Sequence, residues 1–210
     1  MVTKPFTISF DIDGVWCDFV FGFTKIAQEL GMITHVNKVQ EQKYWSFKDS
    51  HGLTDKEHER LVERLEELGD RFWVSIPPVN GITPWETYKS LNRRSDTRIV
   101  FITSRRFCTL GGIQEWFKQY GQIDIKKEQI YMVTNNDKRS AAMQAEVDIH
   151  IDDSPEALEL LLDKPYPKQV VGIKYKYNEH LWADKRIMWV DSLIDYLLLC
   201  QQTLRKEYAY

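Results

Sequence analysis

Phe6-Thr7-Ile8-Ser9-Phe10-Asp11-Ile12-Asp13-Gly14-Val15 decides how this chain is read. Residues 6–10 are apolar enough for a short buried strand, and the strand delivers two carboxylates at its end. Side chains at i and i+2 of an extended chain share a face, so Asp11 and Asp13 can reach one small volume. Gly14 lets the backbone turn sharply away from them. Two convergent carboxylates suit a hard cation such as Mg²⁺ and a division of labour between nucleophile and acid/base. A calcium loop also uses Asp-x-Asp-Gly. That reading is disfavoured by Val15, which stands where the motif wants an oxygen ligand, and by the strand that precedes it.

Working outward, further apolar runs alternate with helical pattern. Strands are expected at Arg98–Ile102, Gln129–Val133, Val147–Ile151 and Gln169–Ile173. Helix starts are expected at Thr83-Pro84-Trp85-Glu86, at Ser154-Pro155-Glu156, and at Asp191, which would cap a last helix through Leu204 with Leu193, Ile194, Leu197 and Leu198 on its apolar face. This alternation predicts an α/β fold, a Rossmann-like parallel sheet covered on both faces. From Val20 to Val79 the alternation stops. Only amphipathic helical pattern remains, clearest from Thr54 to Leu68. Residues 20–79 are therefore expected to form a small helical cap inserted after the first strand, with 1–19 and 80–210 as the α/β core. Loops at strand carboxyl ends surround the site in such sheets, which puts the cap above the carboxylates.

Composition narrows the class. Of 210 residues, 43% are hydrophobic and 28% charged, and the formal net charge is -3, so a broad nucleic-acid surface is not expected. Cys17, Cys108 and Cys200 are odd in number and far apart, which argues against a disulfide framework or zinc cluster and for a reducing compartment. With neither a signal-peptide pattern nor a membrane-length apolar run, the expectation is a soluble cytoplasmic protein without a membrane partner.

Four polar segments follow strand candidates and would meet at one edge of a parallel sheet: Asp11 and Asp13, Thr103-Ser104, Lys138, and Asp152-Asp153. Their chemistry is coherent for phosphoryl transfer, which needs a nucleophile, a proton donor and charge neutralisation. Asp11 can attack phosphorus. Asp13 can protonate the leaving alcohol and then activate water, provided that burial beneath the cap beside other carboxylates raises its pKa. Mg²⁺ can bind Asp11 and the Asp152-Asp153 pair, while Thr103 and Lys138 face the phosphoryl oxygens. His150 reads as a packed or hydrogen-bonded core histidine. Arg105-Arg106 reads as a solvated pair with a possible substrate contact, and Phe19, Tyr44, Trp45 and Trp73 read as cap core or as faces for a base.

This set resembles the haloacid dehalogenase superfamily of phosphohydrolases, through Asp11-Ile12-Asp13-Gly14-Val15, the run into Thr103-Ser104, Lys138, and Ile151-Asp152-Asp153. The resemblance implies that Asp11 is the nucleophile and Asp13 the acid/base. It implies Mg²⁺ on the Asp11 carboxylate, the Asp13 carbonyl and an acidic residue of the last motif, with Asp153 the direct ligand of the pair. A closer resemblance is to the 5'(3')-deoxyribonucleotidases, carried by Asp11 through Asp18-Phe19, Thr103-Ser104, Asp137-Lys138 and Ile151-Asp152-Asp153. It implies a 5'-nucleotidase acting on (deoxy)nucleoside monophosphates, with the base between Phe19 and Tyr44-Trp45 and the phosphate at Thr103, Ser104 and Lys138; Arg105 is a further substrate-binding candidate of this sequence itself. Two departures stand out. Arg105 replaces a family proline, and a phosphate-side lysine of the family falls near Gly112. The alternatives are a phosphatase for another small ester or for a nucleic-acid 5' end, and a non-catalytic nucleotide-binding module of the same fold.

Overall fold

The computed structural model describes residues 4–79, 84–134, 137–162 and 166–207. Six strands, β1 (Phe6–Phe10), β2 (Thr97–Thr103), β3 (Ile130–Met132), β4 (Ile149–Asp152), β5 (Gln169–Ile173) and β6 (Ile187–Val190), form one sheet in the order β3-β2-β1-β4-β5-β6. Every pairing is parallel. The order reverses on either side of β1, which makes the crevice beyond β1 the position where such sheets bind ligands. Phe10 is in register with Phe101 of β2 and Ile151 of β4, so residues 11, 103 and 152 emerge on the same edge.

Alternation along the strands fills both faces. Ile99 and Phe101 belong to one buried cluster, with Trp16, Trp116, Phe117, Tyr196 and Leu197. Val100 and Ile102 belong to the other, with Ala141, Ala142, Leu158 and Leu161. The first cluster is covered by α5 (Trp85–Asn92), α6 (Leu110–Gly121) and α9 (Leu193–Glu207), and the second by α7 (Lys138–Gln144) and α8 (Pro155–Leu161). The result is a three-layer α/β fold.

Four helices occupy the stretch after β1: α1 (Phe19–Glu29), α2 (Phe47–His51), α3 (Asp55–Leu68) and α4 (Asp70–Ser75). Their starts are specified locally, because Asp18, Ser46 and Thr54 each accept a hydrogen bond from a backbone N–H in the first turn. The two ends of this stretch are tied together: Asp18 donates its backbone N–H to the Pro77 carbonyl (2.9 Å) and Val79 donates to Trp16 (2.9 Å). α4 packs on α6, and the Trp116 indole N–H donates to the Ile76 carbonyl at 2.7 Å.

Two helix starts differ from expectation. Ser192, not Asp191, caps α9, its hydroxyl accepting the Asp195 N–H at 3.2 Å. Ile194 and Leu198 are exposed, and Tyr196 and Cys200 take their expected places in the core. Pro84 lies one residue before α5 rather than inside it; Thr83 falls outside the described residues.

Candidate active site

Lys138 begins α7, and its buried ammonium lies 2.8 Å from Asp11 Oδ1 and 2.8 Å from Asp152 Oδ2. Asp11, Lys138 and Asp153 line one cavity of about 330 Å³ together with Asp13, Ser104, Arg105 and Ser154. The rest of its wall is largely apolar and comes from the helices and loops after β1 (Phe19, Phe23, Trp45, His58, Val62, Leu65 and Trp73) and from Arg106 and Phe107 in the loop after β2. Thr103 is fully buried, and its hydroxyl has no hydrogen-bond partner among the described residues.

Asp11, Asp152 and Asp153 each offer an oxygen, and these oxygens lie within 4.8 Å of one another. Such crowding is costly without a cation. Burial, then the neighbouring carboxylates Asp152 and Asp13, outweigh Lys138 and push Asp11 up to about 7. Asp153 is driven well above the usual carboxylate range by burial and by Asp11 and Asp152. Asp152 behaves differently. Burial works against its charge, but Lys138 and His150 outweigh that and hold it at about 2. His150 explains part of this, with Nε2 at 3.0 Å from Asp152 Oδ2 and Nδ1 at 2.6 Å from the Ser9 hydroxyl. Burial lowers its pKa, so the neutral ring donates through Nε2. Asp152 also accepts the Ser154 N–H at 3.0 Å. These oxygens, all hard donors in a buried pocket, fit Mg²⁺.

Two buried tyrosines that the sequence reading missed hold residues of the site without lining the cavity. The Tyr177 hydroxyl donates to Asp153 Oδ2, and the Tyr175 hydroxyl donates to the Gly14 carbonyl at 2.7 Å. Gly14 has a φ of +73° and passes so close to Asp153 that a Cβ there would stand 2.2 Å from its Oδ2. No side chain fits that turn. Both tyrosines flank β5's carboxyl end, and only the tertiary fold brings them back to β1.

Asp13 is not surrounded by carboxylates alone, as the sequence reading required. Arg105 places Nε at 3.0 and 3.1 Å from the two Asp13 oxygens and Nη2 at 2.9 Å from Oδ1. Arg105 is therefore not solvated; its side chain is fully buried, while Arg106 is exposed. Phe19 and Trp45 are half-buried on the cavity wall, 6.4 Å apart, and Trp45 also packs 5.5 Å from Tyr177. Tyr44 is 60% exposed and is not on the wall. At Gly112, a lysine is excluded by packing, since a Cβ would stand 2.3 Å from Asp70 Oδ1 of α4.

No protein-family model matches the sequence, and no curated protein matches it either. Solved structures do match. A HAD-family hydrolase from Deinococcus radiodurans R1 aligns with a TM-score of 0.57 at 14% identity, over 96% of this chain and 98% of that one. A hydrolase from Pseudomonas syringae gives 0.55 at 16%, over 95% and 99%. A β-phosphoglucomutase from Clostridium difficile gives 0.53 at 18%, over 99% of both chains. The fold is thus that of the haloacid dehalogenase-type hydrolases.

Proposed function

We propose that this chain is a Mg²⁺-dependent phosphomonoesterase that works through an aspartyl-phosphate, with a (deoxy)nucleoside monophosphate as substrate. One observation carries the reading: Asp11, held by Lys138 and facing Asp153, lies at the base of a cavity whose opposite wall is aromatic. Asp11 attacks phosphorus as the ester P–O bond breaks, and Asp13 gives its proton to the departing oxygen. Asp13 then takes a proton from water, which attacks phosphorus and releases Asp11. Lys138 orients Asp11 and offsets charge on the phosphoryl oxygens; Ser104 on the cavity wall is a donor for them, and Thr103, fully buried and not on that wall but with a hydroxyl that has no partner among the described residues, is a second. Mg²⁺, held by Asp11, Asp153 and the Asp13 carbonyl, supplies charge neutralisation when bound. Asp152, already engaged by Lys138, His150 and Ser154, serves as support for that set. The segment 20–79 acts as the cap, and Phe19 and Trp45 take the base. The likeness to a phosphate-bound hydrolase from Deinococcus radiodurans R1 is in keeping with a phosphate site.

The test is a Mg²⁺-dependent phosphate-release screen over nucleoside monophosphates, sugar phosphates, an aryl phosphate and 5'-phosphorylated oligonucleotides. Nucleoside monophosphates should turn over fastest, and Asp11→Asn should abolish release. Phe19→Ala should raise KM for nucleotides roughly tenfold or more, a base-stacking magnitude, and change the aryl phosphate much less. Equal losses on both substrates contradict base binding at Phe19. Faster sugar-phosphate release overturns the nucleotide assignment, and no release from any ester overturns the phosphatase reading.

A further inference from the structure

Arg105 is the least expected charge in the cavity. Its guanidinium is fully buried, grips Asp13 with Nε and Nη2, and places Nη2 2.7 Å from Cys17 Sγ. It lies over the Trp73 ring at 4.7 Å. Nη1 is buried with no hydrogen-bond partner among the described residues. The loop that carries it is fixed, because the Trp73 indole N–H donates to the Arg106 carbonyl at 2.8 Å. Phe107 beside it holds a φ of +57°, a conformation rare for an aromatic residue.

The Asp13 grip conflicts with the role proposed for that residue. A carboxylate clasped by a guanidinium fork is in no position to serve a leaving group. Of the cations that line the cavity, Lys138 is already paired with Asp11 and Asp152 and Arg106 is exposed, which leaves Arg105 as the buried cation with donor capacity to spare. Arg105 lines the same cavity as Asp11 and Lys138, with an idle donor. Of the two partners Asp13 is the freer: its side chain is 22% exposed, against 0% for Arg105.

We infer that Arg105 is an exchangeable latch: it holds Asp13 in the free protein and transfers its fork to the phosphoryl group of a bound ester, which releases Asp13 toward the leaving oxygen. This rests on the phosphomonoesterase reading and adds to it a coupling between substrate capture and acid/base readiness. No proton or bond changes hands in the exchange; one ion pair replaces another. Asp13 and phosphate then compete for Arg105, so removing the Asp13 charge strengthens phosphate binding through Arg105; with a merely structural Arg105, the gain from relieved charge repulsion would persist when Arg105 is also replaced.

Calorimetry with inorganic phosphate and Mg²⁺ tests this on the wild type, Asp13→Asn, Arg105→Lys and the double variant. Asp13→Asn should bind phosphate roughly tenfold tighter and Arg105→Lys roughly tenfold weaker, the scale of one close charge pair. The double variant should lose the Asp13→Asn gain. In the wild type, the Arg105 Nε–H resonance should shift as phosphate saturates the site, a readout that needs no variant to fold. An unmoved resonance, or equal affinity in Asp13→Asn and wild type, overturns the latch while ester hydrolysis leaves the phosphatase reading standing. Tighter binding in Asp13→Asn without hydrolysis of any ester by the wild type does the reverse.

Discussion

Alongside Asp153, Asp11 contributes to the pH behaviour of the metal-free protein. Its pKa is raised by burial from 3.8 to about 7, so the folded state holds a proton that the unfolded chain has released. This contribution to stability is complete below about pH 4 and is lost as pH rises towards 7. A cation on these oxygens removes the penalty but must first displace the proton. We predict that Mg²⁺ raises Tm more at about pH 8 than at about pH 5.5, with affinity falling up to about tenfold per pH unit for each proton displaced. A Tm gain independent of pH would argue that the cation binds elsewhere. The same residue marks how far sequence carries. Asp11, Lys138 and Asp153 were legible because each follows an apolar run that ends at one sheet edge. Arg105 was legible as a substrate-side candidate but not as a buried partner of Asp13: a pair of adjacent arginines looks solvated in one dimension, and Asp13 is 92 positions away.

Strands were the most legible elements, since β1 and β5 have the bounds their apolar runs suggested. β6 escaped notice because Ile187-Met188-Trp189-Val190 is short, follows a charged stretch and exposes Met188. An edge strand buries too little to write a clear pattern. Helix α6 supplies an element-scale prediction. Replacing a glycine inside a helix by alanine ordinarily gains about 1 kcal/mol. At Gly112 the new Cβ would stand 2.3 Å from Asp70 Oδ1, and Asp70 is held by the Thr109 N–H (2.7 Å) and hydroxyl (2.6 Å). Overpacking of this kind costs about 1–3 kcal/mol, so the sign reverses. Gly112→Ala should lower stability by up to about 2 kcal/mol in urea unfolding, the cost less the gain. A stabilised variant would show that α4 and α6 part easily.

At the scale of the whole molecule, one buried cluster runs without a break from Phe10 and Trp16 under the sheet to Leu61, Leu65 and Phe72 of the inserted helices. The insert and the sheet therefore share a core. Hydrophobic pattern reports that a helix has an apolar face but not what covers it. Val62 of α3 faces the cavity, and Val62→Phe should cut kcat/KM for nucleotides roughly tenfold by filling space, with little change for a small aryl phosphate. A uniform loss across both would place Val62 in folding rather than in substrate fit. The attachments of α4, through Trp116 to Ile76 and through Trp73 to Arg106, divide the chamber unequally. One side is masonry continuous with the scaffold, and the other, α3, is anchored by a narrow stripe at Leu61 and Leu65. On the phosphomonoesterase reading, entry and exit of an ester then fall to the α3 side, where substitutions alter what the chamber admits and leave the carboxylates intact.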